Sequence, residues 1–135
     1  RAKGKNTFIF IDEIYLLFQH EYSANFLFTL WKRVRKYGAF ATGITQNVDD
    51  LLQSHTARTM LANSEFLIML NQASTDRIEL AKLLNISDRQ LSYITNFDAG
   101  HGLIKVGSSL VPFANKFPKN TKLYKLMTTK LGEGA

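Results

Sequence analysis

Continuous apolar runs alternate with helically spaced ones along this chain. Phe8-Ile9-Phe10-Ile11 is uninterrupted and ends in two adjacent acids, Asp12-Glu13. Such a run predicts a parallel strand buried on both faces, over residues 7–12. Residues 13–18 predict the start of a helix, and Gln19-His20-Glu21-Tyr22-Ser23 a break. Ser23 is expected to cap a second helix reaching Tyr37, with Phe26, Leu27, Leu30, Trp31 and Val34 at helical spacing. Lys32, Arg33, Arg35 and Lys36 fall in its last turn, where cations complement the helix dipole, and Gly38 ends it.

The small apolar stretch 39–45 predicts a second buried strand, closed by Gln46-Asn47. Short helices are expected over 48–54, with Asn47 as its cap, and over 56–63. Residues 66–70 predict a third buried strand. Residues 75–84 predict a helix with Ile78, Ala81 and Leu84 on one face, and 88–95 a further short helix. Residues 102–106 and 110–114 read as a hairpin around Gly107-Ser108-Ser109. Pro112 suits an edge strand, because it donates no ladder hydrogen bond. The order of elements gives an α/β fold, with parallel core strands, helices and an appended antiparallel hairpin.

Composition narrows this only a little. A chain of 135 residues, 45% apolar and 21% charged, suffices for one domain with a core. There is no cysteine, which excludes disulfides and thiolate metal sites. No apolar run approaches the roughly 18 residues that span a membrane. No secretory signal pattern is visible, although a truncated start would hide one. The net charge of +6 is unevenly placed: Lys116, Lys119, Lys122, Lys125 and Lys130 share one stretch with no acid among them. Residues 116–135 therefore read as a basic tail, either solvated and weakly ordered or in contact with nucleic acid, acidic lipid or an acidic partner.

Asp12 and Glu13 are the first candidates for chemistry. Acids at the C-terminal end of a parallel strand sit where open α/β sheets bind ligands. Successive strand residues diverge, so one acid can reach a Mg²⁺ shell while the other orients or deprotonates an attacking water. That is the layout of a Walker B element. A strand-end acid pair capping the next helix would look the same. Gln46 ends the next strand, 33 residues after Glu13, so adjacent parallel strands would bring both to one crevice. There it can hydrogen-bond the water or the γ-phosphate, or else Gln46 or Asn47 merely caps the following helix. Arg35, with Arg33 as backup, could reach a neighbouring subunit's nucleotide, or could simply form a basic helix end.

A phosphate-cradling loop reads G-x-x-x-x-G-K-[ST]. The single Gly-Lys pair is Gly4-Lys5, followed by Asn6 and with no glycine at the upstream spacing, so it reads as a loop entering the first strand. His20, His55 and His101 show no ligand spacing, and Gly100, Gly102 and Gly107 read as turn residues. Phe26, Phe28 and Trp31 read as core.

Taken together, Phe8–Glu13, Trp31-Lys32-Arg33-Val34-Arg35-Lys36-Tyr37-Gly38 and the strand Ala39–Thr45 with Gln46 resemble the ATPase of conjugative type IV secretion systems. So do Ser64–Leu70 and Gly102–Gly107. The likeness covers about residues 7 to 115, and its nearest form is the version on conjugative elements of Gram-positive bacteria. It implies a RecA-like P-loop motor related to DNA-pumping ATPases and coupling proteins, with residues 1–115 as the C-terminal part of the ATPase domain. Asp12 matches the family's magnesium-associated acid, Glu13 its catalytic glutamate, Gln46 the glutamine after the next strand and Arg35 the arginine finger. The family P-loop matches nothing here, so the chain alone is expected to be inactive. The resemblance further implies ATP and Mg²⁺ in the full-length protein and a hexamer at the cytoplasmic face of the membrane. Its partners would be other secretion components, with DNA a further candidate, and it would power DNA or protein transfer or channel assembly. Rival expectations are a coupling protein or DNA translocase of the same superfamily, and a noncatalytic interaction domain.

Overall fold

The computed structural model describes residues 5–72, 74–95 and 98–132. Gly4, half of the Gly-Lys pair, lies outside them, as do the last three residues of the tail. The element order is β1 (Thr7–Ile11), a 3-10 turn (Ile14–Phe18), α1 (Glu21–Arg33), a second 3-10 turn (Val34–Tyr37) and β2 (Ala39–Gly43). There follow α2 (Val48–Gln53), α3 (His55–Ala62), β3 (Phe66–Met69), α4 (Ser74–Leu84), α5 (Asp88–Leu91) and a 3-10 turn (Ser92–Ile94). The hairpin β4 (His101–Val106) and β5 (Ser109–Ala114) and a short α6 (Lys122–Met127) complete the chain. The α/β class with a parallel pair and an antiparallel hairpin is as expected.

β1 and β2 pair in parallel, from Thr7 opposite Ala39 to Ile11 opposite Gly43. The connection between them is α1, the helical crossover that a parallel pair requires. Strand residues alternate in direction, so Ile9 and Ile11 share one face and Phe8 and Phe10 the other. Ile11 packs into the helical core. Phe8 stacks on Phe40 with ring centroids 5.2 Å apart, and Phe8, Phe10 and Phe40 remain exposed. The expected burial on both faces is therefore met on one only. A two-stranded sheet has one layer of helices against it among the described residues, and its aromatic face has none.

The third predicted strand forms but pairs elsewhere. β3 lies antiparallel to β4, with Phe66 opposite Val106, and β4 joins β5 to give the order β3-β4-β5. Phe66 and Ile68 face outward and Met69 is buried, so β3 is half-buried rather than fully buried. β5 is the edge, and Pro112 sits on it opposite Leu103. The hairpin turns at Gly107-Ser108, where Gly107 has a φ of +56°. Gly102 is not a turn residue: a Cβ there would meet the Met69 carbonyl and the Phe113 ring, so glycine permits the close approach of neighbouring strands.

Two apolar clusters hold the elements. One joins α1, α2, α3 and the first 3-10 turn through Ile14, Leu27, Leu51, Ala57 and Met60. The other joins α2, α4, β3 and β4 through Val48, Leu52, Met69, Leu80, Leu84, Ile94 and Leu103. Leu61 packs against both, so α3 couples them. The stripe of α4 is rotated from the expected one. Leu80 and Leu84 are buried and Ile78 is exposed.

Helix starts obey local chemistry. The Asn47 side chain accepts from the Asp50 amide at the start of α2, as predicted. Ser54 caps α3, and Ser87 with Gln90 forms a capping box on α5. Ser23 does not cap α1, which begins two residues earlier. Its hydroxyl donates to the Leu17 and His20 carbonyls, tying the helix to the turn before it. Phe26, expected in the core, is exposed, whereas Phe28 and Trp31 pack against the cluster. The basic tail is not featureless: Thr121 caps α6, Phe117 stacks on Tyr124, and Lys116 lies 3.6 Å from Asp98.

Candidate functional site

The acid pair follows β1 and the glutamine follows β2, at the C-terminal ends of two parallel strands. The ladder between them continues past Gly43. The Ile44 amide donates to the Ile11 carbonyl at 2.8 Å, and the Ile14 amide donates to the Ile44 carbonyl at 3.0 Å. Ile44 thus grips the chain on either side of Asp12-Glu13. A regular parallel ladder spaces those two partners two residues apart; here they are three apart. The extra residue makes the acid pair bulge out of the ladder. Glu13 takes up the turn in a left-handed conformation, φ 48° and ψ 45°, unusual for a residue with a side chain. The Asp12 carboxylate steadies it by accepting from the Glu13 amide at 2.9 Å.

On the facing strand, Thr45 shapes the exit. Its hydroxyl accepts from the Asn47 amide at 3.1 Å and donates to the Asn47 carbonyl at 3.2 Å. Asn47 then caps α2, which resolves the choice between Gln46 and Asn47 as cap. Gln46 turns instead to the acid pair, and its Nε2 donates to Glu13 Oε1 at 3.2 Å. Glu13 is half-buried, while Asp12 and Gln46 are exposed. The result is an open edge holding two carboxylates and an amide, with α2 directly behind it.

Arg35 is not part of this edge. It lies in the 3-10 turn that leads into the N-terminal end of β2, and is exposed. The five residues of β2 separate it from Gln46 by roughly 16 Å of strand. Arg33, at the end of α1, is exposed as well. His20, His55 and His101 do not converge, and no cluster of three or more metal-ligating side chains occurs among the described residues. A groove of about 450 Å³ between α1 and α3, lined by Phe28, Trp31, Lys32 and Met60 among others, includes none of the edge residues.

A family profile described as the TraG P-loop domain matches residues 1–103. The chain belongs to that family. It is accordingly a member of the conjugative-transfer, type IV secretion ATPases of the P-loop superfamily. The solved structure of VirB4 of Thermoanaerobacter pseudethanolicus is similar, with a TM-score of 0.78 and 26% identity. The match covers 89% of this chain and 34% of that one, so the TraG-family chain described here spans about a third of the VirB4 chain's length. No curated protein matches the sequence significantly. No helix among the described residues is long and apolar enough to cross a membrane.

Backbone supports escaped the sequence reading. The Ile44 bridge and the left-handed Glu13 leave no trace in hydrophobic pattern or residue type. Gly43 carried a faint signal, as a glycine within an apolar strand. A Cβ on it would sit 2.6 Å from Ile14 Cδ1, so the missing side chain lets Ile14 seat directly behind Glu13.

Proposed function

We propose that this edge is the Walker B half of an ATP site in a conjugative-transfer ATPase, and that a P-loop outside this chain supplies the other half. The carrying observation is the Glu13–Gln46 hydrogen bond, which unites two side chains that P-loop hydrolysis places beside the attacking water. The donor set suits Mg²⁺-ATP. Mg²⁺ keeps several waters and takes one or two carboxylates plus substrate phosphates, and Asp12 offers one such carboxylate while Glu13 stays free for the water. Asp12, exposed at the strand end, would hold the ion. When bound, Mg²⁺ neutralises charge on the β- and γ-phosphates.

Glu13 would take the proton of the attacking water as the water oxygen bonds to the γ-phosphorus and the P–O bond to the ADP oxygen breaks, releasing ADP and phosphate. Gln46 orients the carboxylate through its amide N–H, and its carbonyl remains available to the same water. Arg35 serves a different site. Its place at the opposite end of β2 fits an arginine offered to a neighbouring subunit, in a ring that we take to be a hexamer. The exposed Phe8, Phe10 and Phe40 face is where the P-loop-bearing part would pack. ATP turnover would power DNA or protein transfer, or assembly of the transfer channel, at the cytoplasmic face of the membrane. Without its P-loop the chain hydrolyses nothing.

The test is ATP turnover by the ATPase carrying this chain together with its P-loop, with and without Glu13→Gln. General-base loss should lower turnover by about 10²–10⁴ with nucleotide binding retained. Unchanged turnover would make the acid pair structural and favour an interaction domain.

A further inference from the structure

Among the described residues, α6 carries an apolar stripe that the fold leaves uncovered. Leu123, Leu126 and Met127 stand at i, i+3 and i+4, one face of a helix, and are 56%, 64% and 73% exposed. Lys122, Lys125 and Lys130 surround them, and no acid occurs from Lys116 to Gly132. Leu131, beyond the helix, is fully exposed as well.

We infer that the segment from Phe117 to Leu131 docks on an anionic lipid surface, with the stripe inserted at the headgroup boundary and the lysines against the headgroups. The charge decides the class of partner. A segment of uniformly positive sign is drawn to a surface of uniformly negative sign, and polybasic stretches bind acidic leaflets this way. The stripe decides between the acidic surfaces. Nucleic-acid phosphates reward the lysines but give three exposed aliphatic side chains nothing to enter. A bilayer interface rewards both, with apolar side chains seated in the acyl boundary and lysine stems reaching back to the headgroups. Phe117 and Tyr124 stack on each other, which shapes the segment as one unit rather than a free chain. The helix is short, so the contact is peripheral and reversible, and both elements are required.

This inference rests on the chemistry of the tail alone and is independent of the ATP-site reading. It is tested by co-sedimenting the whole chain with phosphatidylglycerol–phosphatidylcholine vesicles, and with phosphatidylcholine vesicles, at near-physiological ionic strength. Binding to the anionic vesicles is expected, with at least about tenfold weaker partition to the neutral ones. The variant Leu123→Ser/Leu126→Ser/Met127→Ser and the variant Lys122→Ala/Lys125→Ala/Lys130→Ala should each reduce partition by about tenfold or more. All six side chains are exposed, so an unchanged circular dichroism spectrum is expected for both variants. A Leu126→Trp variant should show blue-shifted emission with anionic vesicles, relative to the parent's Trp31 signal. No vesicle binding overturns the inference. So does binding that survives loss of the aliphatic stripe, or binding to duplex DNA without binding to vesicles.

Discussion

Gln46 Nε2 donates to Glu13 Oε1 across 3.2 Å, although 33 residues separate them in the chain. The bond is the product of a parallel register. Ile11 opposite Gly43 sets the two strand ends level, Ile44 holds the chain on both sides of the acid pair, and Asn47 takes the capping duty that Gln46 would otherwise serve. The candidate site is thus positioned by backbone and by neighbouring side chains.

Two glycines should respond differently to the same substitution. At Gly43 an added methyl meets the flexible end of Ile14, so Gly43→Ala should cost about 1–3 kcal/mol. At Gly102 it meets a backbone carbonyl of the adjacent strand, which cannot step aside without breaking the β3–β4 pairing. Gly102→Ala should therefore destabilise more than Gly43→Ala. Urea midpoints of the two variants check the order, and the reverse order would contradict the close approach at Gly102.

The Asn47 cap links stability to the site. Asn47→Ala removes the acceptor for the Asp50 amide and should cost about 1 kcal/mol. Gln46 is freed to compete for the exposed end of α2, so ATP turnover of the complete ATPase should fall as well. A variant that loses stability with full turnover would separate the cap from the site.

Most of the elements were legible from pattern. The acid-terminated run gave β1, the small apolar run gave β2, and the glycine between two short runs gave the hairpin. Gln46 beside Glu13 was legible too, because adjacent parallel strands end at one edge. What escaped has one physical origin. A strand's apolar pattern says that a face can be buried but not by what, so Phe8 and Phe10 were expected inside, and β3 was expected without its antiparallel partner β4. In α4 a helical stripe could be drawn through Ile78 or through Leu80. Tertiary packing against Val48 and Met69 chose Leu80. The Glu13 conformation was invisible because it belongs to a backbone bulge, not to a residue preference.

Arg35→Ala should lower turnover of the assembled ATPase by about 10³-fold or more, while the exposed side chain's loss leaves the unfolding midpoint unchanged. Mixing Arg35→Ala subunits with Glu13→Gln subunits should regain activity, because some interfaces then pair an intact glutamate with an intact arginine. Mixed assemblies as inactive as either parent would remove Arg35 from the neighbour's site.

The central claim is that Glu13 and Gln46 act together in ATP hydrolysis, and a double-mutant cycle on turnover tests it most directly. A hydrogen bond to a charged group contributes about 1.5–3 kcal/mol, so Gln46→Ala alone should slow turnover about ten- to a hundredfold. In a Glu13→Gln background the same change should add little, because residues that act as a unit are lost only once. Fully additive losses, or turnover untouched by Glu13→Gln, would contradict the account.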